Sequence, residues 1–362
     1  MNDKEYYMGI AILLARKGIG WTSPNPAVGA VIVKGGKIIG KGYHKRIGLC
    51  HAEINALKEA GARTNGGEMY VTLEPCNHFG KTPPCTDAII KAGIKKVFVG
   101  MKDPNPLVSG KGIKRLLNAG IKVEAGILEE GCRDINEPYI KYMKTRAPFV
   151  TLKLASTLDG KIASAAGDAK WITGETARKH AHRMRAQADA VMVGISTVLK
   201  DNPELTTRLA MGRDPLRVVV DSRLRIPVTA KVLNLERGGI IIATTEKASE
   251  GRINAMEVRG AEVMILPSRK GVVDLRALIK ALGKREITSL LIEGGSSLAA
   301  SVLKEGIVDK IAIFYAPKIF GREGLPMIGR LGIKILSEAV KLKDLKCRKI
   351  GEDILIEGYP EE

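Results

Sequence analysis

The sequence predicts two α/β domains in tandem, a small mixed sheet followed by a larger, mostly parallel one. Three observations support this. The 362 residues, 45% of them hydrophobic, supply two cores of ordinary size. Short Val- and Ile-rich runs alternate with stretches of helical apolar spacing over the whole length. One segment, NEPYIKYMKTRAP, gathers prolines, tyrosines and basic residues; read as a linker, it puts the boundary near Arg146 and gives domains 1–146 and 147–362.

In the first domain, MNDKEYYMGIAILLARKG carries acids early and lacks a small-residue cleavage site, so it reads as an amphipathic helix and not as a signal peptide or membrane span. AVGAVIVKGGKIIGKGYH sets two β-branched runs around Gly35-Gly36, a hairpin signal. HAEINALKEAG is helical with a glycine stop, EMYVTLEP a strand, CTDAIIKAGI a second glycine-stopped helix, and KKVFVG and IKVEAG two further strands. That order implies an antiparallel start and a parallel continuation. In the second domain FVTLKLAS, AVMVGIS, LRVVVDS, GIIIATT, EVMILP, SLLIEGG and KIAIFYAP read as strands, with helices such as ETARKHAHRMRAQA and DLRALIKALGK between them. Short, continuous, β-branched runs of this kind suit a parallel sheet covered on both faces. The basic stretch from Lys341 to Lys349 reads as solvated surface.

The formal charge of +19 narrows the partners. Residues 1–146 hold 23 Lys+Arg against 13 Asp+Glu and the remainder 35 against 26, so the excess is spread evenly. With no basic tail and only 4% aromatic residues for base stacking, a dedicated nucleic-acid binder is disfavoured and phosphorylated small molecules fit better. The five cysteines are odd in number and mostly isolated, as a reducing, cytoplasmic compartment permits.

Two motifs carry the first chemistry. CHAEINAL sets His51 and Glu53 two residues apart at a helix start, and EPCNHFGKTPPC sets Cys76 and Cys85 around a long insertion. Any one of these residues alone reads as an ordinary core residue, but an imidazole and two thiolates make a catalytic zinc set that leaves one position for water. Cys85 and Cys76 are both expected where a helix begins, with backbone N–H groups favouring thiolate. Glu53 would shuttle the proton of a metal-activated water. His-x-Glu with Pro-Cys is the nucleobase-deaminase signature, although eight residues and not two separate the cysteines here. Cys50, His78, Cys132 and Cys347 read as non-ligands. Lys81 on the insertion suits a substrate phosphate. Asn25 in SPNPAVG and His44 in GYHKRIG read either as loop caps or as hydrogen-bond partners of a base.

Together, PNPAVGAVIV, GYH, HAEINAL and EPCNHFGKTPPCTDAII resemble the deaminase half of the bifunctional riboflavin-biosynthesis deaminase/reductase family. The resemblance implies a cytidine-deaminase-like α/β/α domain that hydrolytically deaminates 2,5-diamino-6-ribosylamino-4-pyrimidinone 5′-phosphate. It implies zinc on His51, Cys76 and Cys85, a proton shuttle at Glu53, and substrate contacts from Asn25, His44 and Lys81.

In the second domain, SLLIEGGSSLAASVL runs from strand through Glu293-Gly294-Gly295-Ser296-Ser297 into a helix, a turn that lets backbone N–H groups approach a phosphate. It is not the G-x-G-x-x-G fingerprint. VVVDSRLRIP ends a strand at Asp221-Ser222-Arg223, a cluster suited to the 2′-phosphate of NADPH. TLKLASTLDGKIA, KWITGE, HRMRAQADAVMVGISTVLKDNPELTTR and IEGGSSLAAS resemble the reductase half of the same family, so that the match extends to about Arg330. This implies a dihydrofolate-reductase-like fold and NADPH-dependent reduction of the ribosylamino group, with hydride delivered to C1′. NADPH contacts carried over are Ala155, Trp171, Thr197, Asp201, Ser222, Gly295, Ser296, Ser297, Leu298, Ala299, Ala300 and Ser301. Substrate contacts are Ala169, Arg185, Leu205, Arg208 and Glu293, the arginines suiting phosphate through their forked donors. At position 169 the family commonly has serine, so a hydroxyl contact there is lost or moved. Lys153 reads either as the group that polarises or protonates the opening sugar or as a surface lysine at a strand end. Family members assemble as dimers or tetramers. The alternative is a nucleic-acid-editing zinc deaminase with a C-terminal RNA-binding module.

Overall fold

Helix α1 (Asp3–Ala15) begins at Asn2, whose side chain accepts from the Glu5 amide while the Glu5 carboxylate accepts from the Asn2 amide, a complete capping box. Its buried residues Met8, Ala11, Ile12 and Ala15 fall on one face, the i, i+3, i+4, i+7 pattern of an amphipathic helix. The computed structural model describes residues 2–77, 83–106 and 108–361, and in these no helix is long and apolar enough to cross a membrane. The chain forms two compact units, Met1–Arg146 and Ala147–Glu362.

In the first unit, strands β1 (Gly29–Lys34), β2 (Lys37–Tyr43), β3 (Glu68–Leu73), β4 (Lys96–Met101) and β5 (Lys122–Ala125) line up in the order β2-β1-β3-β4-β5. The β1–β2 and β1–β3 pairs are antiparallel and the remaining two parallel, as the order of elements implies. Gly35 and Gly36 both take positive φ (57° and 73°), the two-residue turn whose twist matches a hairpin. Helices α2 (Ala52–Ala60), α3 (Cys85–Lys91), α4 (Lys111–Asn118), α5 (Glu129–Asp134) and α6 (Glu137–Thr145) complete the unit. Helix α2 lies so close to β2 that a Cβ on Gly42 would sit 2.2 Å from the Ala52 carbonyl oxygen, and this contact fixes the height at which α2 presents its first turn.

The expected linker is a helix. Pro138 sits in the first turn of α6, where its missing N–H is harmless, and Tyr139 and Tyr142 are buried. The Tyr139 hydroxyl donates to Asp103 at 3.0 Å. Proline and tyrosine suggested a loop because composition does not reveal which face packs.

The second unit has strands β6 (Phe149–Thr157), β7 (Lys161–Ala163), β8 (Ala190–Gly194), β9 (Leu216–Val220), β10 (Ile240–Thr244), β11 (Glu262–Ile265), β12 (Ser268–Arg269), β13 (Val272–Val273), β14 (Ser289–Ile292), β15 (Lys310–Ala316), β16 (Leu325–Pro326), β17 (Leu342–Ile350) and β18 (Asp353–Pro360). Nine of these form one sheet in the order β11-β10-β9-β8-β14-β6-β15-β18-β17, parallel as far as β15. Helices α7 (Glu175–Gln187), α8 (Ile195–Asp201), α9 (Glu250–Val258), α10 (Leu275–Lys284) and α11 (Ser296–Lys304) cover it. Ala190 and Met192 of β8 pack with Leu278 and Val302, whereas Val191 and Val193 pack with Val198 and Met256, so both faces of the sheet are buried.

The stretch read as solvated surface is the edge strand β17, paired antiparallel with β18. Lys343 to Lys349 are all exposed, so the strand is solvated on both sides and shows no alternation. The stretch is solvated surface, as expected, and its charges, lysines above all, protect a sheet edge against further pairing.

Candidate active sites

His51 caps the N-terminus of α2, Glu53 lies in its first turn, and Cys85 is the first residue of α3. Cys76 does not begin a helix, contrary to expectation: it sits in the loop after β3, and the α3 amide of Cys85 reaches over to donate to its sulfur at 3.4 Å. The favourable helix N–H therefore acts across space. His51 Nδ1 lies 3.6 Å from Cys76 Sγ and 3.3 Å from Cys85 Sγ, and the three ligand atoms fall within 4.8 Å of one another. Zn–S and Zn–N bonds at tetrahedral angles separate sulfur from nitrogen by about 3.5 Å, so this donor set fits zinc. Among the described residues it is the only such cluster, and Cys50, Cys132 and Cys347 stand outside it.

The two thiols are hydrogen-bonded to one another. The hydrogen bond from Cys85 holds Cys76 down at about 4, and the same bond pushes the Cys85 thiol far up. His51 is raised to about 9, chiefly by its hydrogen bond with Cys76. Glu53 is buried, and burial, with the Cys76 sulfur adding to it, raises its carboxyl to about 7.

Asn25 and His44 come together at this site. Asn25 Nδ2 donates to His44 Nε2 at 3.3 Å and His44 Nδ1 donates to the Cys50 carbonyl at 3.2 Å, two bonds that require one neutral tautomer. The His44 ring meets that of His51 edge to face at 5.3 Å. Lys81, with His78 and Gly80, lies outside the described residues. Sequence reasoning missed Glu74, two residues before Cys76. Its buried carboxylate accepts from the amides of Asp103, Gly110, Gly112 and Ile113 at 2.9–3.2 Å, anchoring the start of the Cys76 loop. Those partners lie 29 to 39 residues away, beyond any local pattern.

In the second unit Lys153 is not a surface lysine. It lies within β6, its ammonium 3.7 Å from Glu293 and only 15% exposed. Arg185 of α7 grips the same carboxylate with Nε and, at 3.0 Å, Nη2, while Nη1 donates to the Thr206 carbonyl. Without ligand its fork is thus turned to Glu293. Arg208 remains exposed, paired with Glu204 at 3.1 Å, and Leu205 is buried with φ +57°. Burial opposes ionisation of Glu293, but the Arg185 and Lys153 charges outweigh it and hold the carboxyl at about 2.

A cavity of about 770 Å³ opens at the C-terminal ends of the parallel strands, where ligands of such sheets bind. Ala169, Thr197, Asp201, Ser222, Gly295, Ser296, Ser297, Leu298 and Ser301 line it. Ala155, Trp171, Ala299 and Ala300 are not on its wall: Ala299 and Ala300 are buried on the inner side of α11, and Trp171 is exposed with the Arg178 guanidinium 4.3 Å from its ring centre. Asp221 turns inward to accept from the Ile226 amide at 2.8 Å, and Arg223 is exposed off the wall. The cations on the wall are Lys200, Arg269, Lys270 and Lys304.

His182, also unremarked in the sequence, is buried beside Arg185, its Nδ1 without a hydrogen-bond partner. Burial, with the Arg185 and Arg208 charges, lowers its pKa from 6.5 to about 4. Folding thus favours the neutral ring, so its contribution to stability is complete above pH 6.5 and is lost as pH falls through 4. Glu293, lowered from 4.5 to about 2, adds a second loss below pH 4.5. Thermal unfolding of the second unit across pH 7 to 4 is expected to show a falling midpoint, and His182→Gln to flatten that limb; an unchanged slope would contradict the assignment.

Residues 148–356 match the RibD C-terminal domain, and residues 1–101 match the cytidine and deoxycytidylate deaminase zinc-binding region. The riboflavin biosynthesis protein RibD of Aquifex aeolicus is 48% identical over 355 residues, spanning 98% of this chain and 97% of that one. The chain belongs to the RibD family. A solved structure of RibD from Acinetobacter baumannii superposes with a TM-score of 0.89 at 38% identity, covering 99% of both chains. That of a Thermotoga maritima diaminohydroxyphosphoribosylaminopyrimidine deaminase/5-amino-6-(5-phosphoribosylamino)uracil reductase gives 0.87 at 41%, again over 99% of both. The RibD match runs well beyond Arg330, because the β17–β18 hairpin completes the sheet. A C-terminal half that matches the RibD C-terminal domain also disfavours the RNA-binding alternative. The chain is a bifunctional enzyme of riboflavin biosynthesis, a zinc deaminase joined to an NADPH-dependent reductase.

Proposed function

We propose that residues 1–146 deaminate 2,5-diamino-6-ribosylamino-4-pyrimidinone 5′-phosphate and that residues 147–362 then reduce its ribosyl group to ribityl. The buried Glu53 beside the His51, Cys76 and Cys85 donor set is the observation that carries the first step. Zinc bound there supplies the polarisation that brings a water toward ionisation near neutral pH. Glu53 takes the proton of the attacking water and passes it to the amino group that leaves as ammonia. Asn25 and the neutral His44 orient the pyrimidine, and Lys81 holds the phosphate.

For the second step Thr197, Asp201, Ser222 and the 295–301 turn would hold NADPH, which would supply the hydride for C1′. Lys153 protonates the ring oxygen as the ribosylamine opens to its imine, and Glu293 keeps the buried ammonium charged and aimed. Arg208, exposed and with a fork less committed than that of Arg185, takes the substrate phosphate. The five free cysteines support a reducing, cytoplasmic location, and the assembly proposed is a homo-oligomer, dimer or tetramer.

One incubation with the diamino nucleotide, scoring ammonia release and NADPH oxidation separately, tests both halves. A tight zinc chelator is expected to stop ammonia release while the deaminated nucleotide, supplied directly, still drives NADPH oxidation. Ammonia release that survives complete removal of zinc would overturn the deaminase assignment.

A further inference from the structure

We propose that the β12–β13 hairpin reads the 2′-phosphate of NADPH, so that Arg269 and Lys270, and not the Arg223 next to Ser222, set the preference for NADPH over NADH. The inference rests on the cofactor placement above and extends it to one subsite.

The direction of the dinucleotide follows from the sheet. Lys153 on β6 and Glu293 after β14 mark the reacting end, so the nicotinamide belongs over those strands. From there the order runs β14, β8, β9, and the wall of the cavity follows it through Gly295, Gly194 and Ser222. At about 4.8 Å between neighbours, Ser222 stands roughly 15 Å from β6, a distance over which an extended dinucleotide separates its nicotinamide from its adenosine ribose. The adenosine ribose, and with it the 2′-phosphate, therefore falls at Ser222.

At that end the hairpin is fastened to Ser222. The Val273 amide of β13 donates to Ser222 Oγ at 3.0 Å, which leaves the hydroxyl hydrogen to donate to a ligand. Ser268 and Arg269 pair with Val273 and Val272, and the turn between them is Lys270-Gly271, both with positive φ (53° and 79°). Lysine adopts that left-handed conformation less readily than asparagine or glycine, so the turn chemistry alone does not select it. Arg269 and Lys270 both line the cavity. Glu305 engages Nη1 of Arg269, at 3.1 and 3.3 Å, and the remaining guanidinium donors form a fork matched to a phosphate. The Lys247 ammonium approaches the same tip, 3.0 Å from where a Cβ on Gly271 would stand. Two of the acids on this wall are already engaged: Asp274 accepts from the Arg276 and Ala277 amides, and Glu305 holds both Arg269 and Arg276. A ribose 2′-hydroxyl offers these cations one neutral acceptor oxygen, whereas a dianionic 2′-phosphate offers three charged ones.

Calorimetric titration of the full chain with adenosine 2′,5′-bisphosphate and with 5′-AMP separates the 2′-phosphate from the rest of the cofactor. The Arg269→Gln, Lys270→Gln double variant, altered only at exposed turn positions, is expected to bind the bisphosphate at least tenfold more weakly and 5′-AMP within twofold of the parent. Arg223→Gln is expected to leave both unchanged. Bisphosphate affinity retained in the double variant, an equal loss of both ligands, or a selective loss in Arg223→Gln would each overturn the hairpin assignment while leaving the cofactor cavity in place. A parent protein that binds neither ligand would overturn the cavity reading itself.

Discussion

Glu53→Gln is expected to lower deamination turnover about a thousandfold, the scale of a positioned proton-transfer group, without loss of zinc. Glutamine keeps the shape of the side chain in its buried place on α2 but can neither take a proton from the attacking water nor return it to the leaving nitrogen. Three readings on one sample separate this from a general defect: ammonia release, zinc content by mass spectrometry, and NADPH oxidation with the deaminated nucleotide supplied. Only the first should change. Full turnover with zinc bound would remove Glu53 from the reaction, and loss of zinc would recast it as a residue that supports the metal.

Glu293→Gln carries the largest expected cost in the reductase half. The carboxylate is the shared anion of Lys153 and Arg185, and all three side chains are at most 15% exposed. Removing one partner of such a buried set strands the others, at about 3–5 kcal/mol of stability. The second unit should unfold at a clearly lower temperature, and NADPH oxidation should fall to background even at temperatures where the unit is folded. Ammonia release from the first unit should continue. Adding Arg185→Met to Glu293→Gln removes one stranded cation and should restore part of the stability, with no recovery of reduction. If the single variant is as stable as the parent, Glu293 is not the group that keeps these cations charged.

The local patterns were legible wherever one residue type does one job. The Gly35-Gly36 turn, the glycine stop after α2 and the β-branched strands of both sheets could be read directly, because backbone preference and burial act over a few residues. The zinc donors could be read as well, since His-x-Glu and Pro-Cys are short and chemically narrow. Misreadings came where a residue's role depends on what packs against it. Tyr139 and Tyr142 made a helix look like a linker; the lysines of β17 were rightly read as solvated, but its pairing with β18 was not visible in them. The pairing of Arg185 with Glu293 could not be read at all, because the two are 108 residues apart.

By itself the sequence determined the order of the main β-branched strands, the nature of the metal donors and the pairing of a deaminase with a reductase, all of which rest on side-chain chemistry and short-range periodicity. Only the tertiary structure decided which charges are already spent. It joined Arg185 and Lys153 to Glu293, gave Glu74 to the amides at the start of α4, and brought the β12–β13 cations to the wall beside Ser222. The physical reason is that a charged group is free for a ligand only if no buried partner has claimed it, and those partners are chosen by packing across tens to hundreds of residues.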